Sequence, residues 1–346
     1  MESKLMPAKQ YHQKQENRVF PASNRQCCFP VKIDGTTFYG TPSQITLPKC
    51  ESSREDVYHA LLEILKPSTE ELKKNGYIFF MGWDRIKAFV KPTQYTEGMW
   101  LDPMDKMRKC CRCDTRFELE KNSECIYHLK EKRFDRGCAN RICCGEEYGL
   151  TDGCQKRQYH VFNQFTTDQL FNKFITTEKP KIGEDSRSKT ILAIDAEMVY
   201  TVSGPALARL SVVNWDEELI MDCKVRPADH IIDANTEFSG LTIDDVLAHE
   251  DTLESCRRKL LELANEKTIL VGHSLECDLT ALRLIHYNIV DTAILFKKGD
   301  RKIGLKKLAL EHLGLRIQSN NPNQQGHDSE EDARICLKLL KYKIFH

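Results

Sequence analysis

The sequence contains no apolar run approaching the roughly 18 residues that a membrane-spanning helix needs. Its first residues, "MESKLMPAKQYHQKQENR", lack the apolar segment of a secretory signal. An intracellular protein without a membrane partner is expected. There is no internal repeat and no low-complexity tract, which sets solenoid and fibrous architectures aside. There is no net charge either, since 51 Lys and Arg balance 51 Asp and Glu. With no secretory signal, the 15 cysteines, an odd number, do not read as a disulfide framework. What is present, 346 residues with 40% hydrophobic and 29% charged side chains, suffices for a real core and two domains.

The neutral total hides an uneven distribution. The chain before Thr190 is net basic and the remainder net acidic, so one part suits phosphate and the other a metal. Eight cysteines, Cys110, Cys111, Cys113, Cys125, Cys138, Cys143, Cys144 and Cys154, cluster in one stretch. The polar segment 178–189 reads as a linker between a region 51–177 and a domain 190–346, with 1–50 as an N-terminal extension.

"SSREDVYHALLEILKP" has helical spacing, with Ser52 and Glu55 placed for a capping box and Pro67 as a stop. Beyond the linker, apolar runs at 191–194, 206–213 and 218–225 suggest a strand meander. A helix around 251–264 follows, then a strand "TILVGH", a helix "SLECDLTALRLIH", a strand "IVDTAILF" and helical segments at 304–313 and 328–342. This order implies an α/β fold, a mixed sheet flanked by helices.

Within "ILAIDAEMVY" the carboxylates Asp195 and Glu197 stand two residues apart, which places them on one face of a strand. Asp278 lies one turn into the helix after "GHS", at what reads as its exposed start. Asp332 sits in the first turn of the last helix, capped by Asp328 or Ser329, and His327 in the loop before it. Four carboxylates from three elements require compensation, and hard oxygen ligands in that number suit two Mg²⁺ or Mn²⁺ ions. Such a site suits in-line displacement at phosphorus, with a mobile histidine taking a proton from water. Asp291, His273 and His286 sit at element boundaries and read as structural.

These residues resemble the DEDDh 3′-to-5′ exonucleases, and within them the Rex-type RNA exonucleases. "DAEMVY" matches the first motif, "GHSLECDL" the second and "GHDSEEDA" the third, and "ARLSVVN", "FSGLT", "TILVGHSL" and "DTAILF" match subfamily phrases over residues 190–342. The resemblance implies an RNase H-like fold, Asp195, Glu197, Asp278 and Asp332 as ligands of two divalent metals, and His327 as general base. It also implies contacts from Met198 and the Phe238-Ser239-Gly240 loop to the terminal nucleotide. Ala196 departs from the cysteine usual in relatives, and its side chain should point away from the metals.

In the cysteine-rich stretch, Cys110 and Cys113 form C-x2-C, Cys125 and His128 form C-x2-H, and Cys143, Cys144, Cys154 and His160 follow. Thiolate and imidazole ligands at such spacings suit tetrahedral Zn²⁺ in a closed structural site, for one ion or two. The layout resembles the module that precedes the exonuclease domain in Rex-type proteins, and "STEELKKNGY" extends the likeness upstream. "FKKGDRKIGLKKL" gathers Lys297, Lys298 and Arg301 as candidate phosphate contacts.

The expectation is a 3′-to-5′ exoribonuclease that releases nucleoside 5′-monophosphates from single-stranded RNA 3′ ends, in RNA processing or turnover. A protein partner through the N-terminal region is left open. The resemblance implies a nuclear location. A DNA exonuclease with the same site, and an inactive zinc-containing nucleic-acid-binding protein, are the alternatives. The intact set of five site residues argues against the second.

Overall fold

The computed structural model describes residues 31–33, 36–38, 58–59, 61–81, 87–89, 100–101, 106–128, 132–135, 138–141, 143–144, 153–166, 174–318 and 326–345. Most of the N-terminal extension and the Ser52–Glu55 capping box lie outside them. Of the helix expected over 52–67, residues 58–59 are helical and Leu61–Leu65 form a wider π-type turn. Thr69–Lys74 is helical, with the Ser68 hydroxyl accepting the Glu71 N–H at 3.2 Å.

The C-terminal part is built on six strands: β1 (Ile191–Thr201), β2 (Gly204–Asn214), β3 (Leu219–Lys224), β4 (Ile231–Asp233), β5 (Ile269–Gly272) and β6 (Ile289–Asp291). They lie in the order β3-β2-β1-β5-β6, with β4 also paired to β1. The pairs β1–β2, β2–β3 and β1–β4 are antiparallel, whereas β1–β5 and β5–β6 are parallel. This is the mixed sheet that a meander followed by alternating helix and strand implies. Five helices bear on the site: α1 (Thr236–Ser239), α2 (Leu253–Leu263), α3 (Leu275–Ala281), α4 (Thr292–Leu295) and α5 (Ser329–Phe345).

Alternation along β1 sorts its side chains. Ile191 and Ala193 pack into one core with Ala333, Cys336, Leu337 and Leu340 of α5. Leu192, Ile194 and Ala196 pack into another with Cys256 and Leu260 of α2 and Leu275 and Leu279 of α3. Asp195 and Glu197 therefore continue the row that faces α5, while Ala196 turns the other way. The register of β1 against β2 slips after Glu197, from Glu197 opposite Arg209 to Met198 opposite Leu207, so a bulge follows the second carboxylate.

The expected elements change at three points. β1 runs on from Ile194 through both carboxylates to Thr201. "IVDTAILF" is not one strand, because the Asp291 side chain accepts the Ala293 N–H at 2.8 Å and starts α4. The helix after "GHS" stops at Ala281, Arg283 takes φ 52°, and Leu284–Ile285 then pairs with Ile175–Thr176. Ser274 does not cap α3 with its side chain. It has φ 60°, and its own N–H goes to Asp291 Oδ1 at 2.9 Å.

The segment 178–189 is bonded to the domain it precedes. The Glu266 N–H donates to Glu178 O at 2.8 Å, Arg187 Nη1 to Leu261 O at 2.6 Å and Thr268 Oγ1 to Arg187 O at 2.7 Å. In the cysteine-rich part, Met107–Lys109 pairs with Arg116–Glu118 and Cys125–Tyr127 with Gln155–Arg157, around a small core of Cys110, Phe117, Cys125, Tyr127 and Phe162. No helix among the described residues is long and apolar enough to cross a membrane.

Candidate active site

Three elements bring the four acids together. β1 supplies Asp195 and Glu197, α3 supplies Asp278, and the first turn of α5 supplies Asp332. The start of α5 is fixed by Asp328, whose carboxylate accepts the Glu330 N–H at 3.2 Å, and by Ser329, whose hydroxyl shares a 2.7 Å hydrogen bond with Ser211 of β2. Asp278 is tied directly to β1, accepting the Ala196 N–H at 2.9 Å. It is not at an exposed helix start as the sequence suggested. It is only 5% exposed, because the first turn of α3 lies against the sheet rather than beside solvent.

The acids press on one another. Burial, followed by the charges of Asp278, Asp332 and Glu197, holds the Asp195 carboxyl well above the ordinary carboxylate range. Burial and Asp332 push Glu197 up to about 8, with Arg209 pulling the other way. Burial pushes Asp332 up to about 7 against the hydrogen bond from Gln318 Nε2 to its Oδ2 at 2.7 Å. Asp278 is raised by burial more than the Ala196 N–H lowers it.

Two buried oxygens, Glu197 Oε1 and Asp332 Oδ1, have no hydrogen-bond partner among the described residues. An orphaned buried carboxylate oxygen is costly unless a cation meets it. The donor set is entirely oxygen, which fits Mg²⁺ or Mn²⁺.

His327 stands at the rim, Nδ1 3.7 Å from Asp332 Oδ2. Burial, then the charge of Lys306, lowers its imidazole below the usual 6.5. Its ring meets Phe238 edge-on, with centroids 5.9 Å apart and planes at 81°. Phe238 is 46% exposed. The Ser239 hydroxyl is turned inward instead, donating to Ala234 O at 2.7 Å and accepting the Leu241 N–H at 3.2 Å, so this side chain holds the loop. Met198 is half-buried against the core on the Ala196 side of β1.

The basic loop is largely engaged with the protein itself. Lys297 pairs with Glu71, and Lys298 lies 3.5 Å from Glu311. Lys298 and Arg301 close the turn through backbone hydrogen bonds of 3.0 and 3.2 Å. The structure therefore gives Lys297 and Lys298 carboxylate partners where the sequence suggested phosphate. Sequence reasoning also passed over Arg209, which bonds Asp222 at 2.7 Å and Asp328 at 3.1 Å and sits opposite Glu197. Its signal was the "ARLSVVN" phrase, a lone charge in an apolar strand next to the acids. Tyr77 was missed too. It donates to Asp291 Oδ2 at 2.7 Å and ties the arm before the cysteine-rich part to the loop that anchors α3. His273 and His286 bond Thr292 and Thr177, each at 2.9 Å, and burial lowers both to about 4.

The eight sulfur and imidazole candidates divide into two groups of four, Cys110, Cys113, Cys125 and His160 in one and His128, Cys143, Cys144 and Cys154 in the other. Within each, the ligand atoms lie within 4.8 Å of one another. Cys110 Sγ is 3.7 Å from Cys125 Sγ, and Cys113 Sγ is 3.3 Å from His160 Nδ1. In the second group His128 Nδ1 is 3.5 Å from both Cys143 Sγ and Cys144 Sγ, and Cys154 Sγ is 3.5 Å from Cys143 Sγ. Sulfurs on a tetrahedral zinc at Zn–S of about 2.3 Å stand about 3.8 Å apart, whereas a disulfide is about 2.05 Å. The geometry fits two zinc ions.

Cys125 and His128, although they share the C-x2-H spacing, fall in different groups. They leave opposite ends of the strand Cys125–Tyr127. Gly153 permits the pairing beside it, because a Cβ there would lie 2.3 Å from the Tyr127 backbone nitrogen.

No family model matches the chain. Among curated proteins it is similar to Exonuclease GOR of Pan troglodytes, 37% identical over 306 residues, covering 84% of this chain and 42% of that protein. It is similar to RNA exonuclease 3 of Schizosaccharomyces pombe, 37% identical over 251 residues, covering 70% and 45%. It is similar as well to RNA exonuclease 3 of Eremothecium gossypii, 33% identical over 312 residues, covering 86% and 75%. The chain spans less than half the length of the first two.

Proposed function

The chain belongs to the Rex-type family of DEDDh RNA exonucleases, and from that premise we propose that it shortens RNA from the 3′ end, releasing nucleoside 5′-monophosphates. The observation that carries this reading is the convergence of Asp195, Glu197, Asp278 and Asp332 with two buried, unpartnered carboxylate oxygens. These four side chains would hold two divalent cations. Once bound, the cations supply Lewis-acid stabilisation of the phosphodiester and acidify the attacking water.

The protein's own groups do the rest. His327, kept neutral near pH 7 by its lowered basicity, accepts the proton of the attacking water at its ring nitrogen. Phe238 offers an exposed ring on which the terminal base stacks. Arg209 holds Asp328, and so the first turn of α5, in place under Asp332. Met198 and the backbone of the Ser239-Gly240 turn complete the seat for the terminal nucleotide, and Arg301 remains the candidate phosphate contact in the basic loop. Two zinc ions, one on each Cys/His group, would hold the cysteine-rich part together.

RNA rather than DNA follows the names of the relatives. We infer a nuclear location from the sequence resemblance alone, and imaging of the tagged chain tests it. A denaturing-gel time course on 3′- and 5′-labelled RNA and matched DNA, with Mg²⁺ or Mn²⁺, tests the activity. Stepwise shortening of RNA from its 3′ end, lost with EDTA and in Asp195→Ala, supports the reading. Binding of RNA without shortening in any metal would replace it with a binding role.

A further inference from the structure

Arg112 links the cysteine-rich part to the loop beside the active site. Arg112 lies inside the C-x2-C turn, between Cys110 and Cys113, and its N–H points at Cys110 Sγ, 3.4 Å away. A ligand sulfur receiving such a bond fixes the turn once a metal is bound. From this turn the guanidinium reaches across to β4, placing Nη1 2.7 Å from Asp233 Oδ2 and Nη2 3.5 Å from Asn235 Oδ1. Neither side chain of the ion pair is open to solvent, with 10% and 16% exposure. The guanidinium also lies over the rings of Tyr127 and Tyr200, 5.4 and 5.5 Å from their centroids.

The chain of contacts continues to the catalytic loop. Asp233 Oδ1 accepts the Asn235 N–H at 2.7 Å. Asn235 sits at φ 54°, the left-handed conformation that asparagine adopts more readily than most non-glycine residues. Asn235 O then accepts the N–H groups of Phe238 and Ser239 at 2.8 and 2.9 Å, forming α1. Phe238 O in turn accepts the His327 N–H at 2.6 Å. A second ion pair, Arg157 to Glu237 at 3.9 Å, joins the cysteine-rich part to the same short helix.

We propose that Arg112 is a positioning residue for the exonuclease site, through which a metal on Cys110, Cys113, Cys125 and His160 sets the conformation of the Asp233–Gly240 loop and so the placement of Phe238 and His327. The catalytic half of this rests on the reading above, while the structural half does not. In a cysteine-rich part that only stabilised the fold, the ion pair would be one surface contact among others. Here it holds Asn235, the left-handed residue from which the substrate loop starts.

Hydrogen exchange on the full zinc-loaded chain tests the structural half independently of any RNA cleavage. Arg112→Ala should retain its zinc and speed exchange in peptides covering 233–241 and 326–328, with β5 unchanged. Arg112→Lys should restore part of the protection, since an ammonium reaches Asp233 but does not span to Asn235. Cys125→Ser, which empties the first group, should give the same local deprotection in the wild-type Arg112 background. With RNA, Arg112→Ala should lower kcat by roughly tenfold or more, because misplaced groups lose rate steeply, and Arg112→Lys should recover part of it.

Unchanged exchange at 233–241 in both Arg112→Ala and Cys125→Ser overturns the proposal. So does deprotection spread evenly over the whole domain, which would mark a general loss of stability. If Arg112→Ala fails to fold, Asp233→Asn takes its place with the same expected exchange pattern. Local deprotection in a chain that cleaves no RNA would leave the structural inference standing and reject the exonuclease reading alone.

Discussion

The backbone N–H of His327 donates to the carbonyl oxygen of Phe238 at 2.6 Å, so the loop that carries the candidate base and the loop that carries the candidate base-stacking ring are one unit. Between them Gly326 lies so close to Gly240 that a Cβ would stand 2.1 Å from its nitrogen, and its φ is +89°. Both the approach and the dihedral require glycine.

Gly326→Ala should therefore separate the two loops. The strain is of order 1–3 kcal/mol, and kcat/KM should fall by roughly tenfold or more as His327 leaves its seat, with zinc content unchanged. Steady-state kinetics on a labelled oligonucleotide checks this, and wild-type kinetics would mean that the loop contact is incidental.

Asp195→Asn should remove activity by a factor of at least roughly a hundred and yet raise the melting temperature of the metal-free protein near pH 8. It deletes one of several like charges that the bare site holds against repulsion. The Mn²⁺-induced rise in melting temperature should shrink as well. Thermal scans with and without metal decide the matter.

The pH dependence follows from the raised carboxyls. Glu197 and Asp332, at about 8 and 7 in the folded chain, stand above their ordinary 4.5 and 3.8. The folded metal-free chain keeps protons on these two carboxyls that the unfolded chain has released, so their contribution to stability is lost as pH rises from about 4 to about 8, and above about 6.5 the lowered His273 and His286 no longer oppose it. Divalent metal, which binds the ionised forms, should restore more stability at pH 8 than at pH 6. A melting temperature of the metal-free protein that is flat or rising between about pH 6.5 and pH 8 would contradict the coupling among the acids.

Zinc stoichiometry tests the division of the eight ligands. Elemental analysis should find two ions per chain, with Cys113→Ser and Cys154→Ser each lowering the count by one, since they belong to different groups. Loss of both ions from either substitution, or a single ion in the native chain, would contradict two separate sites.

The acids on β1 were legible because period two is a rigid rule: whatever the fold, Asp195 and Glu197 share a face. Asp332 and its buried stripe were legible for the same reason at helical period. Asp278 was placed on the right helix but not in the right environment, because burial of a helix start depends on what packs over it, and Tyr77, more than 200 residues away in sequence, is part of that cover. Asp291 was read as structural at an element boundary, yet its role in anchoring Ser274 and Tyr77 involves partners far apart in the chain. The eight Cys and His candidates were all visible and their grouping was not. The second set lies inside the sequence span of the first, and the C-x2-H spacing does not reveal that the strand between Cys125 and His128 sends them to different groups. The partners of the basic loop were not legible, because the carboxylates that meet Lys297 and Lys298, Glu71 and Glu311, come from other elements.

On the proposed mechanism the four acids and His327 direct water at the terminal phosphodiester of an RNA 3′ end. A single-turnover reaction in H₂¹⁸O, with the released nucleotide weighed by mass spectrometry, tests it directly. The expected product is nucleoside 5′-monophosphate carrying one ¹⁸O in its phosphate, released from the 3′ end only with Mg²⁺ or Mn²⁺ present, and none from Asp195→Asn. Nucleoside 3′-phosphates, cyclic phosphates, or equal product from Asp195→Asn would contradict it.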